Sequence, residues 1–314
     1  MEYRNLGKSG LKVSELSLGS WITFGGSLDV QGVRQCMKTA YDHGVNFFDN
    51  AEAYANGASE HLMGEALKEY RRQDLVISTK IFWGGKGVND NGLSWKHLVE
   101  GTKRSLQRMG LDYLDLIYCH RPDHLTPIEE TVRAIDVLIK QGLVFYWGTS
   151  EWKASEIEAA YEIAYGINAT PPTMEQPEYN LFKRERVESE YAPIYQKYGL
   201  GITSWSPLDS GILTGKYAHG IPDHSRLDQH KELRSRLTEK KLAMIKNLED
   251  IARQLGCTLS QLAIAWCLKN ENVSSVITGA SHPQQIEENM QAIHVKHQIT
   301  DEIKALIETM CEFS

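Results

Sequence analysis

The chain has no apolar run of membrane-spanning length, and Met1-Glu2-Tyr3-Arg4-Asn5-Leu6 lacks the basic-then-apolar order of a secretory leader. A cytoplasmic protein with no membrane insertion is expected. Cysteine is sparse: residues 36, 119, 257, 267 and 311 form no CxxC pair and no metal-ligand spacing, so reduced thiols in or near the core are expected, and no metal. Clustered Lys and Arg are also missing. With a net charge of −7, nucleic acid and anionic membrane surfaces are excluded as expected partners. No Pro/Gly/Ser linker cuts the chain, so residues 1–314 are expected to form a single domain.

Several chemical signatures are absent as well. Gly84-Gly85-Lys86-Gly87 lacks the GxGxxG spacing of a dinucleotide fingerprint. The segment from Gly211 to Tyr217 is one residue short of a P-loop, and Tyr217 stands where a magnesium-holding Ser or Thr belongs. Ser150 and Ser206 lack a nucleophile-elbow pattern, and Cys119 falls inside a strand candidate, so no activated nucleophile is evident.

What is present is an alternation. Strand-length apolar runs at Leu16–Ser20, Val45–Asp49, Leu75–Lys80, Tyr113–His120, Val144–Ser150, Thr173–Gln176, Gly201–Trp205 and Ser275–Gly279 are separated by helix-length amphipathic runs. The helix candidates are Val30–His43, Ser59–Tyr70, Ser94–Met109, Pro127–Gln141, Ala154–Tyr165, Arg184–Tyr198 and Gln284–Ala292, with further helices at Leu242–Leu255, Leu259–Leu268 and Glu302–Met310. Ser94 and Thr126 read as N-terminal caps, and Gly44, Gly142 and Gly199 as stops. Eight β-then-α units with no composition break predict an α/β protein, a (β/α)8 TIM barrel with an N-terminal hairpin around Tyr3 to Leu11 and extra C-terminal helices. Leu208–Lys240 is too long and polar for an ordinary loop; it reads as a lid, a binding segment or a disordered insertion.

A barrel carries its chemistry at the C-terminal strand tips. Those tips read Ser20-Trp21, Asp49, Lys80, His120, Ser150, Gln176, Trp205-Ser206 and Gly279-Ala280-Ser281. A carboxylate directly after Phe47 and Phe48 needs a cation, and Lys80 closes the neighbouring run. Tyr54 follows in the loop after Asp49; a nearby ammonium is expected to lower its pKa. His120 would orient a carbonyl or pass a proton to Tyr54. Taken singly, each has a bland reading: Tyr54 as packing, Asp49 as a cap, Lys80 as a rim charge, His120 as a structural histidine. Together at one rim they describe an acid that protonates an oxygen while hydride reaches carbon. Lys216 and Arg226 can meet phosphate, and the free amides from Gly279 to the helix starting near Pro283 form an anion site, so a phosphate-bearing cofactor is expected. Trp21 and Trp205 can stack on an aromatic ring.

FDNAEAY with Asp49 and Tyr54, ISTK with Lys80, CHRPD with His120, YWGTSEW with Ser150, EQPEYN with Gln176 and SWSPL with Trp205 together resemble the aldo-keto reductases over essentially the whole chain. YRNLGKSGL, KIFWGGKG, TPIEETVRAID, QLAIAWCL and NVSSVITGAS are similar to the branch of voltage-gated potassium channel β subunits and their plant and bacterial relatives. The resemblance implies NADPH-dependent reduction of a small carbonyl substrate, with Tyr54 as general acid assisted by Asp49, Lys80 and His120. It implies a cofactor lined by Trp21, Asp49, Ser150, Gln176, Trp205, Ser206, Pro207, Leu208, Ser210, Lys216, Arg226, Gly279, Ser281, Gln285, Glu288 and Asn289. Ser150 and Gln176 would hold the carboxamide, Trp205 would support the nicotinamide, and Arg226, Ser281 and Gln285 would meet the 2′-phosphate. It further implies a homotetramer. Its second implication is a regulatory subunit that binds NADPH, docks on an ion channel and senses redox state with slow turnover. Animal members of that branch commonly carry Asn in place of His120 and Arg in place of Glu151, and His120 restores the full reductase set, which favours the enzyme. A third reading, a metal-dependent hydrolase, lacks a ligand cluster in the sequence.

Overall fold

The computed structural model describes residues 1–311. Strands β1 (Tyr3–Asn5) and β2 (Lys12–Ser14) pair as an antiparallel hairpin with Arg4 opposite Val13. Eight further strands follow: β3 (Leu16–Gly19), β4 (Phe47–Asp49), β5 (Val76–Ile81), β6 (Leu114–Cys119), β7 (Val144–Thr149), β8 (Met174–Glu175), β9 (Gly201–Ser204) and β10 (Val273–Thr278). They close into a barrel in the order β10-β3-β4-β5-β6-β7-β8-β9, every neighbouring pair parallel. The fold is therefore a (β/α)8 barrel, as the alternation predicts.

Each strand sends alternate side chains to opposite faces. Phe47, Val76, Leu116, Tyr118, Met174 and Ile277 fill the interior together with Leu6 and Val13 of the hairpin. Ile77, Ile81, Ile117, Cys119 and Trp147 join the larger outer core. Burying a side chain of this size contributes roughly 1.5–3 kcal/mol. The same period decides the site: Val76, Ser78 and Lys80 share the inward face of β5, so the lysine ends up at the inner rim. The hairpin seals the opposite end. Gly7 (φ +54) approaches the start of β9 so closely that a Cβ there would lie 2.4 Å from the Gly199 carbonyl oxygen, and Lys8 N–H donates to that oxygen at 2.9 Å.

The outer layer comprises α1 (Val30–Asp42), α2 (Ala58–Leu67), α3 (Trp95–Met109), α4 (Ile128–Lys140), α5 (Ala154–Gly166), α6 (Ala192–Tyr198), α7 (Arg226–Gln229), α8 (Glu239–Gln254), α9 (Leu259–Leu268), α10 (Pro283–Met290), α11 (Ala292–Gln298) and α12 (Asp301–Met310). Ser94 caps α3 as expected, accepting from His97 N–H. Thr126 does not cap α4; it donates to Asp123 at 2.7 Å, and Pro127 stands at the cap with no side-chain bond. The helix expected over Arg184–Tyr198 is divided: a π-helical turn, Arg186–Glu190, precedes α6, whose first turn holds Pro193. Pro lacks an N–H and cannot continue a preceding helical ladder. Helix α11 was not expected from the sequence pattern.

Residues 208–240 form neither a simple loop nor a disordered insertion. Short helical turns at Asp209–Thr214, α7 and Lys231–Arg236 fold over the barrel mouth, burying Ile212, Leu213, Tyr217 and Leu227. Asp209, fully buried, accepts from Arg236 Nε at 2.7 Å and Lys241 Nζ at 2.5 Å, and Arg236 also pairs with Glu178. All five cysteines are free, and four are buried. Among the described residues no helix is long and apolar enough to cross a membrane.

Candidate active site

Strands β4 and β5 run in register with Asp49 opposite Ser78, which brings both carboxylate and lysine to the inner rim. Lys80 Nζ donates to Asp49 Oδ2 at 2.5 Å, to the Asn50 carbonyl at 2.8 Å and to Tyr54 Oη at 3.0 Å. Its three ammonium donors are thus all used. Asp49 Oδ1 accepts from Ser78 Oγ at 2.7 Å and Gln176 Nε2 at 3.1 Å. Lys80 and Asp49 are 1% and 3% exposed, so each charge survives burial only because the other meets it.

Tyr54 owes its position to backbone geometry. It opens a tight turn in which Ala55 (φ 48), Asn56 (φ 52) and Gly57 (φ 87) all adopt left-handed conformations. For Ala55 that costs about 1–2 kcal/mol. The turn is anchored on its C-terminal side by buried Glu60, which accepts from Thr79 Oγ1 at 2.5 Å and Arg108 Nε at 2.6 Å. On its N-terminal side Glu52 N–H donates to the Lys80 carbonyl at 3.1 Å. Glu52 Oε1 also accepts from Phe82 N–H at 2.8 Å and pairs with His97, tying the Tyr54 turn to the loop that carries Trp83.

His120 completes the group. Its ring meets Tyr54 edge-on at 5.8 Å and Trp83 at 5.0 Å between centroids, and its Nδ1 is buried with no hydrogen-bond partner among the described residues. Burial, Lys80 and Arg121 hold the imidazole pKa well below its usual 6.5, so the ring is neutral at pH 7. A neutral ring has no imidazolium proton to deliver, but it keeps one N–H donor and one nitrogen acceptor.

Tyr54 departs from expectation in sign. Burial pushes the phenol above its ordinary value of 10 and outweighs the opposing pull of the Lys80 ammonium. The phenol is not unusually acidic in the resting site; it holds its proton firmly. For Lys80, burial opposes the charge, but Asp49 and Tyr54 outweigh it and keep the ammonium above its ordinary range.

The remaining expected residues fall into separate clusters. Ser150 Oγ donates to the Gln176 carbonyl at 2.8 Å, so these two lie together beside Asp49. Trp205 meets Trp21 edge-on at 6.3 Å and donates its Nε1–H to Glu151 at 3.1 Å. Arg226 lies over the Trp21 ring, its guanidinium carbon 4.7 Å from the centroid. Ser206 (φ 58), Pro207, Leu208 and Ser210 (φ 60) lead from β9 into the strap over the mouth. Lys216, exposed, lies over the Tyr217 ring. Gly279 leaves β10, Ser281 N–H and Oγ both donate to Gln285 at 2.8 and 3.2 Å, and Glu288 and Asn289 follow on α10. The last cluster is held through Gln261 Nε2 to the Glu288 carbonyl at 3.0 Å.

Sequence reasoning did not single out Ser78, Trp83, Arg121 or the Asn50 carbonyl. Arg121 directly follows His120, and Trp83 lies three residues past Lys80. Position relative to a strand tip was the available signal.

The aldo/keto reductase family profile matches residues 15–310, and the chain belongs to that family, whose members are nicotinamide-dependent oxidoreductases acting on carbonyl groups. The chain is 56% identical over 319 residues to a protein of Arabidopsis thaliana named probable voltage-gated potassium channel subunit beta, with 98% of this chain and 97% of that protein aligned. It is 54% identical over 318 residues to an identically named protein of Oryza sativa subsp. japonica, with 99% and 97% aligned.

Proposed function

We propose that the protein is an NADPH-dependent reductase of aldehydes and ketones, with Tyr54 as general acid and Asp49, Lys80 and His120 as its partners. The observation that carries this reading is Lys80 Nζ, which bridges the Asp49 carboxylate and the Tyr54 hydroxyl at the barrel mouth. Tyr54 holds a proton at Oη and releases it to the carbonyl oxygen as negative charge develops there. Lys80, already hydrogen-bonded to Tyr54 Oη, stabilises the phenolate so formed. Asp49 keeps the lysine charged, and neutral His120 directs the carbonyl through an N–H.

The mouth fits the cofactor. Among the described residues Ser206 Oγ and Arg226 Nε are buried without hydrogen-bond partners and Arg226 pairs with no carboxylate, which suits a ligand rich in phosphate oxygens. Bound NADPH supplies the hydride for the carbonyl carbon. We assign Ser150, Gln176 and Asp49 to its carboxamide side, Trp205 and Trp21 to its ring, and Ser206, Pro207, Leu208, Ser210, Lys216, Arg226, Gly279, Ser281, Gln285, Glu288 and Asn289 to its phosphates and adenosine. Oxidation of NADPH with 4-nitrobenzaldehyde tests this: turnover is expected in wild type and its loss in Tyr54→Phe with NADPH still bound. A wild type inert toward a broad aldehyde panel overturns it.

A second reading is a homotetrameric cytoplasmic subunit that docks on a potassium channel and senses redox state; of this the relatives' names carry only the potassium channel subunit, and the rest is what the family resemblance implies. Free thiols accord with that compartment. Co-purification with a channel's cytoplasmic domain, unchanged by Tyr54→Phe, supports it.

A further inference from the structure

Two cations stand at this rim: Lys80, bonded to Tyr54 Oη, and Arg121, which follows His120. Lys80 is matched by Asp49. Arg121 forms no ion pair with a carboxylate among the described residues. Its Nη1 donates to the His120 carbonyl at 2.5 Å and to Ser150 Oγ at 3.3 Å, while its Nε and Nη2 donors form no hydrogen bond and no ion pair among the described residues. Its guanidinium carbon stands 5.5 Å from the Trp83 ring centroid, so one edge is fixed and the remaining fork is left for a planar anion.

The carboxylates of the neighbouring strand-tip loops have other partners. Asp123 accepts from Leu93 N–H, Leu125 N–H and Thr126 Oγ1 at 2.8, 3.0 and 2.7 Å. Glu151 accepts from Arg186, Glu178 N–H and Trp205. Glu52 is buried against His97. A half-buried guanidinium held between Ser150 Oγ and the Trp83 ring, one residue past His120, therefore keeps free donors for something that arrives. The wall beside it is aromatic and open: Trp83 is 43% exposed, and across His120 and Tyr54 stands Trp21, 44% exposed, 6.5 Å from the Tyr54 ring.

We propose that Arg121 anchors a carboxylate of the substrate, and that the preferred substrates are aromatic aldehydes carrying a ring carboxylate, their rings taken up by Trp83 and Trp21. This rests on the reductase reading above. Arg121 acts on binding and orientation; the proton still comes from Tyr54.

The test compares 2-, 3- and 4-carboxybenzaldehyde with their methyl esters, which remove the charge and keep the electron withdrawal. At least one acid is expected to exceed its ester in kcat/KM. In Arg121→Gln that acid-to-ester ratio is expected to fall roughly ten- to hundredfold, the worth of a charged hydrogen-bonded pair. Arg121→Lys, which keeps the charge and loses the planar fork, should fall between. Independently of turnover, benzoate should quench tryptophan fluorescence in wild type and much less in Arg121→Gln. Acids no better than esters, a ratio unchanged by Arg121→Gln, or equal benzoate binding by both proteins overturns the proposal. If acids and esters alike are inert while 4-nitrobenzaldehyde is reduced, the substrate proposal fails; if 4-nitrobenzaldehyde is inert too, the reductase reading fails, and the benzoate titration still decides whether Arg121 is a carboxylate site.

Discussion

Lys80 Nζ stands 3.0 Å from Tyr54 Oη, yet burial still leaves the phenol with a pKa above its ordinary value. The lysine does not ionise the tyrosine in the resting site; it waits to receive the charge that proton transfer creates. For reduction, Tyr54 must be protonated, so the acid form persists through neutral pH and is lost only as pH rises through its raised value. A profile of kcat/KM for aldehyde reduction should therefore be flat from about pH 7 to 10 and fall above that. A falling limb centred near pH 7 would assign the donor to some other group.

The Asp49–Lys80 pair is nearly inaccessible, so removing one partner strands the other. Lys80→Met is expected to cost about 3–5 kcal/mol of stability by urea denaturation. The double variant Asp49→Asn, Lys80→Met should cost less than the two single changes summed, because no charge is left uncompensated. Strict additivity would mean that the two side chains do not stabilise each other.

His120 is held neutral with a pKa well below 6.5. Between that value and 6.5 the unfolded chain binds a proton that the folded chain refuses, so stability rises with pH there. The contribution is complete above 6.5 and lost as pH falls below it. His120→Asn should reduce the loss of stability seen between pH 7 and 5. Denaturation midpoints that shift equally in both proteins would show that the imidazole is not the titrating group.

Arg226 has no carboxylate partner among the described residues, and burial together with neighbouring Arg236 lowers its pKa from the usual arginine value. A dianionic phosphate would relieve both. Arg226→Leu is expected to weaken NADPH binding roughly tenfold or more and to leave NADH binding far less affected, read by tryptophan fluorescence titration. Equal losses for the two nucleotides would place the 2′-phosphate elsewhere.

The barrel was legible because its signal is local. Each apolar run of β3 to β10 is bounded by an amphipathic helix, and period-two alternation alone puts Lys80 on the face of Val76. Asp49, Lys80 and His120 were legible as polar residues ending such runs. The sign of the Tyr54 shift was not, because it depends on how much solvent the surrounding turn excludes, and three left-handed residues in succession carry no hydropathy pattern. Ser78 was invisible for a simpler reason: inside a strand it reads as a small filler, and only its register opposite Asp49 reveals the hydrogen bond. Likewise Glu151, Arg186 and Trp205 meet across 35 and 54 positions, distances that no local spacing rule spans.

The seam of the barrel joins β3 to β10, with Leu18 beside Thr278. Until the last of these strands has been synthesised, β3 exposes an unzipped edge, and the pocket floor has no continuous wall. Most of the polypeptide must therefore leave the ribosome before the cylinder can shut. The rim chemistry contributed by the first fifth of the chain has to await a strand made near its end.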